Sequence, residues 1–165
     1  MANKSVSNGE YIDVFIEPPQ PIRLKLSKHA FSTLLKIGAR GLAVIISDEE
    51  WGPVVRYYYL KRSRLINSML ENKAFPAELS IIGKHAEELI LKDGTKVLIW
   101  PFKTKSGDRY IVNYIVLEVG DNINKSELKK ILKEISIRLE KNSADDPKFV
   151  NKLLKLVLEK RKKSA

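Results

Sequence analysis

The chain contains no cysteine in 165 residues and only two histidines, His29 and His85. Disulfides, thiolate metal sites and cysteine nucleophiles are excluded together, and too little imidazole remains for a zinc site or a Cys/His pair. The eight glycines are scattered, and neither the P-loop pattern nor the dinucleotide fingerprint occurs. No apolar run reaches the ~20 residues of a membrane helix. The polar start Met1-Ala2-Asn3-Lys4-Ser5 lacks the apolar centre of a signal peptide. These absences predict a soluble, cytoplasmic protein with no metal or other cofactor, no membrane partner and no small-molecule substrate. Glu87, Glu88, Asp93 and Glu118 could in principle collect a magnesium ion for a nuclease. Read as outward-facing polar residues of strands and turns they need no metal, and that reading is the stronger, so no enzyme is expected.

What the chain has in excess is positive charge. Thirty Lys and Arg stand against twenty Asp and Glu, a formal net charge of +10. Residues 125–165 hold thirteen cations and six carboxylates, whereas residues 1–124 hold seventeen and fourteen, so most of the excess is C-terminal. Such a balance points to nucleic acid or another anionic surface without locating the site. Abundant Lys, Glu and Ile without cysteine is also a hyperthermophile bias. With 44% hydrophobic residues the chain can bury a core, and its length suits one domain with an appendage.

Aromatics and cations interleave most densely in residues 51–64, from Trp51 through Arg56, Tyr57, Tyr58, Tyr59, Lys61 and Arg62 to Arg64. Residues 54–62 have strand composition. Alternation puts Val55, Tyr57, Tyr59 and Lys61 on one face and Arg56, Tyr58, Leu60 and Arg62 on the other. Rings beside cations suit single-stranded nucleic acid, whose bases stack while its phosphates follow positive charge. Amphipathic tyrosines in a half-buried sheet are the competing explanation.

Taken in order, residues 1–9 are expected to be flexible. Residues 10–17 read as a strand broken by Pro18, Pro19 and Pro21. Ser27 is placed to cap a helix over 28–37 that Gly38 ends, and residues 42–46 form an apolar run suited to a central strand covered on both faces. Ser63 caps a short helix that ends before Phe75-Pro76. Strands at 88–92 and 96–102 flank the Asp93-Gly94 hairpin signal, and a third strand spans 109–119. Trp100 and Phe102 share a face of the second of these strands, and Tyr110 and Tyr114 a face of the third. The fold class is therefore α+β, a mostly antiparallel sheet with packed helices followed by a C-terminal helical pair. The nucleic-acid-binding domain is placed at 10–122 and a helical oligomerisation segment with a basic tail at 123–165. In that segment Ser126 caps a helix in which Leu128, Leu132, Ile135 and Leu139 keep coiled-coil spacing, and Asp146-Pro147 opens a second helix. The second helix is apolar over more than one side, so Leu132, Ile135, Leu139, Val150, Leu153, Leu154 and Val157 are expected to join chains into a homo-oligomer. A helix pair folded onto its own sheet is the alternative.

A basic α+β domain containing Arg56-Tyr57-Tyr58-Tyr59 and Trp100-Pro101-Phe102, followed by a helical segment such as residues 150–160, resembles the ThermoDBP and ThermoDBP-related proteins of hyperthermophilic archaea. The resemblance covers most of the chain. It implies single-stranded nucleic-acid binding in an aromatic-lined basic cleft, with C-terminal helices for self-association. From local chemistry the stacking candidates are Tyr57, Tyr59, Trp100 and Phe102, with core packing the rival for Trp100. The phosphate contacts are Arg56, Lys61, Arg62, Arg64, Lys103, Lys105 and Arg109. The expected function is non-catalytic binding of single-stranded nucleic acid, DNA before RNA. The rival is an architectural or adaptor protein acting through its C-terminal helices.

Overall fold

A computed structural model of the chain describes residues 2–7, 10–15, 19–60, 63–83, 88–121, 123–142 and 144–163. Strands β1 (Ala2–Ser7) and β2 (Glu10–Phe15) form an antiparallel pair of their own. Residues 2–7, expected to be flexible, thus have strand partners. The prolines then separate this pair from the main sheet. That sheet is built from β3 (Ile22–Arg23), β4 (Ala39–Asp48), β5 (Gly52–Leu60), β6 (Glu88–Ile90), β7 (Lys96–Ser106) and β8 (Arg109–Val119), in the spatial order β3-β5-β4-β8-β7-β6. Every neighbouring pair is antiparallel except β3 with β5.

Five helices cover the sheet, and local chemistry accounts for their starts. Ser27 Oγ accepts from Ala30 N at the head of α1 (Lys28–Lys36), and Ser63 Oγ accepts from Ile66 N at the head of α2 (Arg64–Glu71). Helix α2 ends at Glu71, before Phe75-Pro76 as expected, and a separate helix α3 (Phe75–Gly83) starts there; Pro76 lies in its first turn, where its missing N–H has no intrahelical partner to lose. Asn124 rather than Ser126 caps α4 (Lys125–Lys141). Asp146 accepts from Lys148 N ahead of α5 (Pro147–Lys163), with Pro147 as its first residue.

The apolar run of β4 explains the layering. Leu42 and Val44 face a core shared with α1, α4 and α5, while Ala43 and Ile45 face a second core shared with α2 and α3. Helix α2 is held close to the sheet: Glu118, only 4% exposed, accepts from Leu65 N at 2.9 Å, and a Cβ on Gly41 would lie 2.6 Å from Ser63 Cβ. Glu118 is therefore a buried helix anchor and not the outward-facing residue that strand alternation suggested.

Strand β5 departs from simple alternation. Val44 pairs with Tyr57 and Ile45 with Val55, so Arg56 is the extra residue of a β-bulge. Val55 then faces the α2–α3 core, and Tyr57 and Tyr59 face the other, although alternation had placed all three together.

The C-terminal helices are not an appendage. Leu132, Ile135, Leu139, Val150, Leu153, Leu154 and Val157, expected at an interface between chains, are all buried in one core with Leu42, Tyr57, Phe102 and Ile115 of the same chain. Helix α5 lies between α1 and α4, which is why its apolar surface is broader than a coiled-coil seam. Tyr57 Oη also donates to the Ala144 carbonyl in the α4–α5 connection. Fully burying Val150, Leu153, Leu154, Val157 and Leu158 contributes about 1.5–3 kcal/mol each, which together reaches the whole stability of a typical domain. A chain ending at Asn142 should therefore lose its cooperative thermal transition in circular dichroism; a truncated chain that melts cooperatively as a monomer would show that the helices are dispensable.

Candidate nucleic-acid interface

The four expected stacking residues do share one face of the sheet, but that face lies beneath α1, α4 and α5. Tyr57 is 0% and Phe102 1% exposed. Trp100 is half-buried with Nε1 donating to Ser136 Oγ of α4 at 3.2 Å. Tyr59 meets the Phe31 ring of α1 edge-on, with centroids 5.8 Å apart. Tyr57 and Phe102 are closed off and Tyr59 and Trp100 half-buried, because the apolar sides of the helices need the same surface.

The expected phosphate contacts divide among several places. Arg56 is half-buried at the bulge, its guanidinium carbon 5.9 Å from the Tyr57 ring centroid, and its Nε is buried without a hydrogen-bond partner. It is a packing residue and not a surface cation. Lys61 and Arg62 lie outside the described residues. Arg64 is exposed beside Arg40, Asp93 and Lys96. That is the far end of β7 from Lys103 and Lys105, roughly 25 Å away at ~3.3 Å per residue. Arg109 is exposed at the β7–β8 turn but alternates with Ile111 and Asn113 onto the opposite face from Lys103 and Lys105.

What the structure does bring together is on the outer end of the β7–β8 hairpin. Lys105 pairs in register with Tyr110, Lys103 with Val112 and Pro101 with Tyr114. These residues continue the α2–α3 face, where Ile99, Tyr114 and Val116 are buried. The helices do not reach the end of the hairpin: Tyr110 is 69% and Val112 38% exposed, and both lysines are exposed. Tyr110 was recognisable as sharing a face with Tyr114, but its place beside Lys105 depends on the register that the Gly107-Asp108 turn sets. Gly107 adopts φ +61° there.

The hairpin is held rigidly. Asn113, fully buried, donates through Nδ2 to Thr104 Oγ1 at 2.8 Å across the strands and accepts from Ser47 N at 2.9 Å. Ser47 Oγ in turn donates to the Val112 carbonyl at 2.7 Å. The two sides of the hairpin differ in charge. The side opposite Tyr110 opens on a cleft lined by Asp48, Glu49, Glu50, Glu140 and Asp145, whose rim Lys105 also reaches; Glu49 accepts from Ser106 Oγ and Glu140 from Lys103 N. Carboxylates outnumber cations in that cleft, whereas Lys103, Tyr110 and Val112 are exposed on the other side of the hairpin.

The carboxylates considered for magnesium are engaged separately. Glu88 pairs with Lys125 at 2.8 Å, Asp93 accepts from Thr95 N, and Glu118 anchors α2; Glu87 lies outside the described residues, as does His85. Among the described residues no group of three or more His, Asp or Glu side chains is arranged to hold a metal, and no helix is long and apolar enough to cross a membrane.

Desolvation raises the pKa of Tyr57, and does so against the lowering effect of Arg56; it is also the leading cause of the raised values of Tyr59 and Tyr114. The unfolded chain therefore releases these protons first. The stability tied to the three neutral phenols is complete below ~10, the ordinary tyrosine value, and is lost as pH rises through the folded values. Denaturant titrations above that pH should show falling stability, with phenolate absorbance appearing together with unfolding. Full phenolate absorbance in a chain that is still folded would contradict the buried placement.

Comparison of the chain with protein-family models, curated proteins and solved structures finds no significant match among any of them.

Proposed function

We propose that this protein binds single-stranded nucleic acid without catalysis, through the outer end of the β7–β8 hairpin. The observation that carries the reading is an exposed tyrosine, Tyr110, in cross-strand register with Lys105 and next to Lys103 on a rigid ribbon. A base can stack on the ring while the lysines meet the flanking phosphates, and such stacking tolerates any base. Net charge of +10 favours encounter with a polyanion, and the carboxylates behind the hairpin leave one side open to it. The site is small, so it fits a few nucleotides. Single-stranded DNA is the form to test first.

Fluorescence anisotropy with a labelled oligonucleotide over a range of salt separates the contributions. Tyr110→Ala should cost about 1–3 kcal/mol of binding with little change in salt slope. Lys103→Ala and Lys105→Ala should each reduce the slope by about 0.7. Tyr57→Ala should lower stability by about 3–5 kcal/mol instead, because it empties a core position. Full affinity in a Tyr110→Ala chain that melts like the parent would remove the hairpin as the binding site.

A further inference from the structure

Among the described side chains, the cations of the C-terminal part lie on the outside of one helical layer. Helices α4 and α5 turn their apolar faces into the sheet, which leaves Lys130, Lys133 and Lys141 on α4 and Lys148, Lys152 and Lys155 on α5 exposed. Spacings of three and eight residues on α4, and of four and three on α5, align each set along one side of its helix. Carboxylates are too few to offset them: among the described side chains α4 carries six cations and three carboxylates, and α5 three and one. Part of that minority is engaged elsewhere, since Glu134 pairs with Arg138 at 3.5 Å, Glu140 accepts from Lys103 N and Glu159 accepts from Ser27 Oγ. The only aromatic of the two helices, Phe149, packs against the core.

We infer that the outer face of α4 and α5 is a second docking surface, for the phosphate backbone of duplex nucleic acid. It is charge without stacking. With no exposed ring it offers nothing that an unpaired base needs, whereas a duplex presents one negative charge per ~1.7 Å of its axis on a stiff rod. Helices α4 and α5 pack together with axes ~8–10 Å apart, and the lysines three or four residues apart on each row lie ~5–6 Å from one another, a spacing at which several phosphates can be met at once. An anionic membrane fits less well. A helix lying on a bilayer buries its apolar face in lipid, and those of α4 and α5 are already in the core, leaving only Ile137 and Leu156 as exposed large apolar residues. This surface and the hairpin site lie on opposite sides of the sheet, and the inference does not depend on the hairpin reading.

The test uses the full chain carrying K130Q, K133Q, K152Q and K155Q together, a version with Arg at the same four positions, and a hairpin variant with K103Q and Y110A. A labelled blunt duplex of about 20 base pairs is titrated from about 50 to about 200 mM salt, the range over which phosphate contacts lose affinity steeply. The Gln variant should bind the duplex at least ~100-fold more weakly at the lower salt and show a slope smaller by about three to four units, close to 0.9 per contact. The Arg variant should bind like the parent, and the hairpin variant within about threefold of it, since neither loses charge from the helical face. All four helical positions are exposed, so melting should be unchanged. Duplex affinity and slope that survive in the Gln variant would overturn the inference. So would retention of the parent by phosphatidylserine vesicles at a salt concentration that abolishes duplex binding.

Discussion

A sheet whose central strand is apolar on both sides has to be covered twice, and the other features of this molecule follow from that constraint. Val44 and Ile45 are adjacent in sequence and belong to different cores. One face is closed by α2 and α3, and Glu118 and the close approach at Gly41 hold α2 against the sheet. The other needs three helices, so the chain returns after β8 to supply α4 and α5. Covering the sheet twice takes up Tyr57, Tyr59, Trp100, Phe102 and Tyr114, because side chains that look available on a strand lie under a helix once both layers are in place. The end of the β7–β8 hairpin, beyond the reach of α2 and α3, is where a tyrosine and two lysines remain open.

The bulge at Arg56 decides how the tyrosine strand is used. Without the extra residue Tyr57 would share the face of Val55, in the α2–α3 core. With it, Tyr57 reaches across to the Ala144 carbonyl and ties the α4–α5 connection to the sheet, while Tyr59 closes on Phe31. The densest run of aromatics and cations in the sequence is thus a packing device. Its half-buried arginine stacks on its own neighbour and leaves Nε without a partner.

Much of the fold was legible because local chemistry and tertiary packing agree. Ser27 and Ser63 cap helices, Asp93-Gly94 turns a hairpin, Asp146-Pro147 opens α5, and the run at 42–46 lies in the centre of the sheet, whereas the strand expected to end at 102 continues to Ser106. The site was less legible, for three physical reasons. A single bulge inverts the face of every residue beyond it, and nothing in the tyrosine strand announces one. Coiled-coil spacing in α4 describes an apolar stripe without saying whether its partner is another chain or its own sheet. Tyr110 and Tyr114 share a face, yet only the edge of the α2–α3 layer determines that one is open and the other closed. Lys103 and Lys105 were legible as surface cations, whereas Arg109 was assigned to their side although alternation sends it to the other.

The central claim is that the open hairpin face, and not the aromatic face under the helices, is what meets nucleic acid. Photocrosslinking with a single-stranded oligonucleotide containing 5-bromodeoxyuridine, followed by peptide mass spectrometry, tests it most directly. The account predicts an adduct on Tyr110, diminished as salt is raised. Adducts on Tyr57, Tyr59, Trp100 or Phe102, with Tyr110 unmodified, would contradict it and would mean that the helical layer opens to admit the strand.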